Sequence, residues 1–176
     1  IKLEPLKSQP AFSNNGLSGK ALILDNKHYY RLPIAGTPLA NNSNNFTLSF
    51  WMKSGSNYTS EIAVVSKEPW IEGDTQPFEA DDKLWQWNPN NSSLDGGAWT
   101  MITMVYSRKD QSIALFINGE NIGSSVNNEV NSQRLNRFIY IGCDSNEKFL
   151  HHSPMVIDDL AIWDRALHEI DIQEMY

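Results

Sequence analysis

Three features of this sequence predict an all-β fold of two antiparallel sheets packed face to face. The first is the strict alternation of Phe46-Thr47-Leu48-Ser49-Phe50-Trp51-Met52-Lys53. It puts Phe46, Leu48, Phe50 and Met52 on one face of a strand and Thr47, Ser49, Trp51 and Lys53 on the other. The second is Asn118-Gly119, directly after the apolar run Ile113 to Ile117. A type I′ hairpin turn needs positive φ at both central positions, and Asn-Gly supplies it. The third is recurrence: β-rich runs at Trp99–Tyr106, Ile113–Ile117, Ile139–Ile141 and Ile157–Leu167 are separated by turn residues, as in a two-sheet sandwich with Greek-key links.

Taken in order, Leu17 to Asn26 reads as a glycine-led strand ending at an Asp25-Asn26 turn, with Asn26 accepting a left-handed conformation. Tyr29-Tyr30-Arg31-Leu32 reads as its partner strand. The apolar run Ile62 to Lys67 reads as a strand covered on both sides. The stretch Glu68 to Gly97 carries Trp70, Phe78, Trp85 and Trp87 among polar residues, with Trp85-Gln86-Trp87-Asn88 as a short strand bearing both indoles on one face. Phe46, Leu48, Phe50, Val105, Leu115, Ile117 and Ile141 are expected to fill the sandwich. Leu167 to Tyr176 forms the closing helix, its start weakened because His168 stands where a capping Ser or Asp is preferred.

The 176 residues suit one domain, residues 1–176. The chain begins Ile1-Lys2-Leu3 and is expected to be excised from a larger secreted or surface protein. Hydrophobic residues at 40% and charged residues at 20% describe a folded globule. The net charge of -7 argues against nucleic acid and against anionic membrane surfaces, both of which require Lys/Arg excess. No apolar run reaches the roughly 18 residues of a membrane span, so no membrane insertion is expected. Cys143 is the sole cysteine, which rules out an intrachain disulfide and reads as a small packing residue.

The order of these motifs, from about Leu17 to Tyr176, resembles the laminin-G-like domain of the concanavalin A-like lectin/glucanase superfamily. The carrying residues are Leu17-Ser18-Gly19-Lys20-Ala21, Ile113 to Gly119, Ile157-Asp158-Asp159-Leu160 and Leu167 to Tyr176. The resemblance implies a jelly roll, a secreted, periplasmic or cell-surface location, and a glycan or a neighbouring domain as partner. The sequence departs from the family pattern at Asn26, where Gly is usual, and at His168, where Ser is usual.

Four constellations could carry chemistry. Glu169-x-Asp171-x-x-Glu174 matches the motif of laminarinase and lichenase glycosidases, where the resemblance implies nucleophile, orienting residue and acid/base, with carboxyls roughly 5–5.5 Å apart. Helical spacing, however, swings Glu169 away from the other two. Asp158 alternates with Val156, Leu160 and Ile162, and a carboxylate on an apolar face needs compensation. Structural Ca2+, which similar jelly rolls hold with this Asp, would supply it. So would an ion pair with Arg165, or several N–H donors. His28, His151 and His152 lack the spacing of a zinc site. Trp70, Trp85 and Trp87, with Asn88 beside them, could stack on sugar rings or plug the end of the sandwich. Asn41, Asn45, Asn57, Asn90 and Asn91 open Asn-x-Ser/Thr triplets. There is no Gly-rich phosphate loop and no Gly-x-Ser-x-Gly elbow.

The reading that follows is a non-catalytic carbohydrate-binding or accessory module, with Trp70, Trp85, Trp87 and Asn88 as ligand residues and Asp158 as the Ca2+ residue. Two alternatives stand beside it: a glycoside hydrolase using Glu169, Asp171 and Glu174, and a protein-contacting adhesion domain.

Overall fold

The computed structural model describes residues 2–35, 45–54, 65–67, 97–110, 112–126, 138–143 and 155–176. Among them the strands are β1 (Glu4–Pro5), β2 (Phe12–Ser13), β3 (Ala21–Leu24), β4 (Tyr30–Pro33), β5 (Phe46–Ser54), β6 (Val65–Lys67), β7 (Thr100–Ser107), β8 (Ser112–Ile117), β9 (Glu120–Val126), β10 (Phe138–Ile141) and β11 (Met155–Trp163), followed by helix α1 (Glu169–Met175). A four-stranded sheet runs β1-β4-β10-β6 and a seven-stranded sheet runs β2-β3-β11-β5-β7-β8-β9, all pairs antiparallel. The last strand, β11, inserts between β3 and β5, so the two ends of the sequence are interleaved in one sheet.

The space between the sheets is filled as the alternation requires. Phe46, Leu48, Phe50 and Met52 of β5 are buried with Ile102, Met104 and Tyr106 of β7, Ile117 of β8, Ile139 and Ile141 of β10, and Met155 and Ile157 of β11. Each large apolar side chain withdrawn from water contributes about 1.5–3 kcal/mol, so this layer drives the fold. Phe46 and Tyr106 are directly cross-strand, with ring centroids 5.3 Å apart. Leu115 is only half-buried: its partner across the ladder is Gly123 on the edge strand β9, which offers no side chain to cover it. Val105 is buried, but on the opposite face of the sheet, where it packs with Met101, Phe116, Leu167 and Ile172 beneath α1.

Tyr29–Leu32 does not pair with the preceding strand. β3 belongs to the large sheet and β4 to the small one, so the turn between them crosses the sandwich. Asn26 is not left-handed; Asn118 and Asp159 are the non-glycine residues with positive φ among the described residues. The crossing is built by Asp25 instead. Its Oδ1 accepts the N–H of Lys27 at 2.7 Å, the N–H of His28 at 2.8 Å, and meets His28 Nδ1 at 2.9 Å. Just beyond, Tyr30 ties the sheets together: its hydroxyl donates to Ile23 O and accepts from Ala11 N, each at 3.3 Å. Burial pushes the Tyr30 phenol up, which keeps the donor protonated.

The Asn118-Gly119 hairpin is as expected, with φ of 50° and 80° and Ile117 opposite Glu120. Asn118 is also anchored to β7, its amide oxygen accepting Met101 N–H at 2.9 Å. Of the run Ile62 to Lys67, the ladder residues Val65–Lys67 pair with β10; the expectation that this strand is covered on both sides falls outside the described residues. Cys143 is buried at the end of β10, in the packing position foreseen for it.

Partial burial alone would raise the Asp25 carboxyl, but the His28 ring and the two amide donors outweigh it and hold the group below its ordinary value. A carboxyl depressed in the folded state contributes stability above its unfolded pKa and loses it as pH falls through the folded one. Asp25→Asn is therefore expected to lower the melting temperature at neutral pH by several degrees, for a loss of about 1–2 kcal/mol. The gap from the parent should close as pH drops below about 4, the unfolded carboxylate range. Melting curves at pH 7 and pH 3 check this, and a pH-independent difference would contradict it.

Candidate functional site

Among the described residues, Asp158 and the acidic residues of α1 lie on the outer side of the large sheet, away from the sandwich core. On β11 the ladder register shifts between Asp158 and Ala161. Asp158 lies opposite Trp51 and Ala161 opposite Ser49, so Asp159 and Leu160 together face the single residue Phe50. This is a β-bulge, and the positive φ of Asp159, 48°, is how the extra residue is absorbed. The bulge reverses the inward parity of the strand: Met155 and Ile157 point into the sandwich before it, Leu160 and Ile162 after it. Asp158 thus does not share a face with Leu160 and Ile162. It stands with Val156 on the outer side.

There the Asp158 carboxylate is gripped by backbone. Oδ2 accepts Leu17 N–H at 2.8 Å and Ser18 N–H at 3.3 Å, while Oδ1 accepts Asp159 N–H at 3.0 Å. The loop 16–19 is closed on itself by Gly16 N–H donating to Gly19 O at 3.2 Å. A Cβ at Gly16 would sit 2.8 Å from Asp158 Oδ2 and 2.9 Å from Gly19 O, so only glycine permits the approach. Arg165 does not pair with Asp158; its Nη1 lies 4.0 Å from Asp171 Oδ2. The groups aimed at this carboxylate are three amide hydrogens, the third of the compensations expected for it.

Next to Asp158 the same face carries α1. A seven-residue helix is unstable alone, and this one is held by Ile172, which is fully buried, and by Leu167 and Met175 on Met101, Val105 and Phe116. Thr47 fixes the approach to the helix: its Oγ1 donates to Arg165 O at 2.8 Å and accepts Leu167 N–H at 3.0 Å. The helix start is better satisfied than His168 suggests, because the Asp171 carboxylate accepts the His168 N–H at 3.1 Å. Glu169 Oε1 accepts from Gln173 Nε2 at 3.1 Å. Of the acidic trio, Asp171 and Glu169 are therefore engaged with the helix's own atoms, and Glu174 is exposed. At the end of α1, Tyr176 stacks on Trp51 with ring centroids 5.8 Å apart and planes 23° apart.

Trp70, Trp85, Trp87 and Asn88 lie outside the described residues, as do His151, His152 and the triplets at Asn41, Asn57, Asn90 and Asn91. Asn45 is described, and its amide oxygen accepts Arg108 N–H at 2.8 Å. Trp51 and Tyr176, which the sequence did not single out as site residues, form an aromatic pair on the outer face of the large sheet. The legible signal was Trp51 itself, a large indole on the otherwise polar face of the alternating strand.

Two antiparallel sheets, an interleaved C-terminal strand and a closing helix define the jelly-roll class of lectins and glucanases. A family model described as the concanavalin A-like lectin/glucanases superfamily matches residues 24–173, and the chain belongs to this laminin-G-like family. No curated protein matches it in sequence. Among solved structures, the botulinum neurotoxin serotype D binding domain superposes with a TM-score of 0.69 at 17% identity, covering 99% of this chain and 46% of that one. The binding domain of Paraclostridial Mosquitocidal Protein 1 gives 0.67 at 17% identity, with 99% and 46% coverage. Domain 4 of AbnA, a GH43 extracellular arabinanase from Geobacillus stearothermophilus in complex with arabinotriose, gives 0.63 at 18% identity, with 99% and 86% coverage. These likenesses establish the fold, and the chain spans less than half of the toxin binding domains.

Asp158→Ala is expected to free the loop 16–19 and cost about 1 kcal/mol, a fall of roughly 2–4 °C in melting temperature. Gly16→Ala should do the same by steric conflict. The fall for Asp158→Ala should be equal in Ca2+ and in chelator. If chelator lowers the melting temperature of the parent but not of Asp158→Ala, calcium rather than amide holds the carboxylate.

Proposed function

We propose that this chain is a non-catalytic carbohydrate-binding module of an extracellular protein. The observation that supports it most is the likeness, over 86% of its length, to an arabinanase domain that holds arabinotriose. The charge is consistent with it, since a chain of net charge -7 suits uncharged sugar better than polyanions. The acidic trio also favours binding over hydrolysis. A retaining glycosidase needs two carboxyls facing each other across a groove. Here Asp171 caps its own helix and Glu169 bonds to Gln173.

In this reading the ligand residues are Trp70, Trp85, Trp87 and Asn88, the aromatics stacking on sugar rings and the amide bonding to hydroxyls. Stacking contributes a modest increment per ring, so a trisaccharide should bind and a monosaccharide should bind far more weakly. Calorimetric titration with arabinotriose, xylotriose and cellotriose is the test. Absence of binding to all of these and to a wider glycan array would favour a protein partner instead. On catalysis, no reducing sugar should be released from laminarin or lichenan. Release that vanishes in Glu169→Gln would make the chain a hydrolase.

A further inference from the structure

Tyr176 is 61% exposed although it is an aromatic residue packed on another aromatic. One face of its ring lies along Trp51 and the remainder is offered to solvent. The helix that presents it is anchored by a fully buried Ile172, and the hairpin backs it: a Cβ on Gly119 would lie 3.4 Å from Tyr176 Cβ and 3.4 Å from Gln173 Cα. The ring is thus positioned before any ligand arrives, which removes much of the ordering cost of binding.

The ladder fixes what lies beside the stack. Trp51 is directly opposite Asp158, and Lys53 is directly opposite Val156. Residues two apart on a strand share a face, so Trp51, Lys53, Val156 and Asp158 lie together on the outer side of the large sheet. Asp158 is thus a direct cross-strand neighbour of Trp51, with Cβ atoms roughly 4.5–5.5 Å apart, Lys53 stands two residues along the same strand, and Lys53 and Asp158 are diagonal to each other at roughly 7–8 Å. All three side chains are half-buried, neither withdrawn nor free to sweep through solvent. Although Asp158 already accepts three N–H bonds, a carboxylate has about four acceptor positions and can take a hydroxyl as well.

We propose that the Trp51–Tyr176 stack is a saccharide platform, with Lys53 donating to and Asp158 accepting from the hydroxyls of a neutral sugar ring laid on the aromatics. An aromatic face suits the C–H face of a sugar, and a diagonal pair of opposite charges suits hydroxyls rather than an anion. The proposal rests on the binding-module reading but draws its ligand residues from the described outer sheet face rather than from Trp70, Trp85 and Trp87.

The test is calorimetric titration of the whole chain with arabinotriose, xylotriose and cellotriose. Tyr176→Phe, which keeps the ring, should bind within about threefold of the parent. Tyr176→Leu, which keeps apolar cover over Trp51 but removes the π face, should lose roughly tenfold or more. Lys53→Met should weaken binding severalfold, and it serves as the check if Tyr176→Leu melts early. Parent-like affinity in both Tyr176→Leu and Lys53→Met overturns the platform. If Trp85→Ala alone abolishes binding in that case, the binding-module reading survives without it. If the parent binds none of the three sugars and nothing on a wider glycan array, both readings fall together.

Discussion

Everything else in this molecule depends on β5 being buried on both of its faces. One face, Phe46, Leu48, Phe50 and Met52, meets the small sheet. The other, Thr47, Ser49 and Trp51, would be expected to face water from its composition, yet Thr47 is fully buried and Ser49 nearly so. A hydroxyl withdrawn from water costs free energy unless it is bonded, and both are. Ser49 Oγ donates to Ile102 O at 3.2 Å and lies 2.8 Å from Thr103 Oγ1, while Thr47 holds the chain on either side of Ala166. These hydroxyls are small enough to let α1 lie close to the sheet, and their bonds fix where it lies. The polar face of β5 is thus the seat of the helix.

That seat explains why the outer face has two halves. Under α1 it is apolar and closed, with Met101, Val105 and Phe116 covered by Leu167 and Ile172. Beyond the helix end it is polar and half-open, with Lys53, Val156 and Asp158 along the ladder. Trp51 marks the border and Tyr176 covers it. The bulge at Asp159 is what makes the second half polar. Without the extra residue, either Asp158 or Leu160 would face the wrong way, since a strand's parity can only be reversed by an odd insertion.

The sequence made the inner face of the sandwich legible, because alternation at period two is a strong signal when one face is dry. It also made the Asn118-Gly119 hairpin and the closing helix legible, since each rests on local chemistry. It did not disclose which strands are neighbours. Tyr29–Leu32 follows β3 by a short turn, and proximity in sequence suggested pairing. The Asp25 carboxylate instead bonds the turn so that the chain crosses to the other sheet. Val105 was placed on the wrong face because every position of β7 from Thr100 to Tyr106 is buried, and a run buried on both sides carries no parity. The bulge was invisible for a related reason. It is read from the register of Asp158 and Ala161 against β5, a relation between strands roughly a hundred residues apart.

The candidate site shows the same division between local and long-range information. The expectation that Asp158 needs compensation rested on a face that the bulge denies it, and the groups that bond it, Leu17 and Ser18, are 141 and 140 residues away in sequence. Amide donors compensate a carboxylate well because each charge-assisted bond is worth about twice a neutral one. The aromatic pair was hidden more deeply. Trp51 and Tyr176 lie 125 residues apart in sequence (176 − 51), and the docking of α1 onto the outer sheet face brings them into contact. A fold shared with toxin binding domains and an arabinanase domain does not specify that contact, since one fold carries many different sites. The closing helix thereby sets which outer-face side chains are covered, Met101, Val105 and Phe116, and which stay half-buried beside it, Trp51, Lys53 and Asp158.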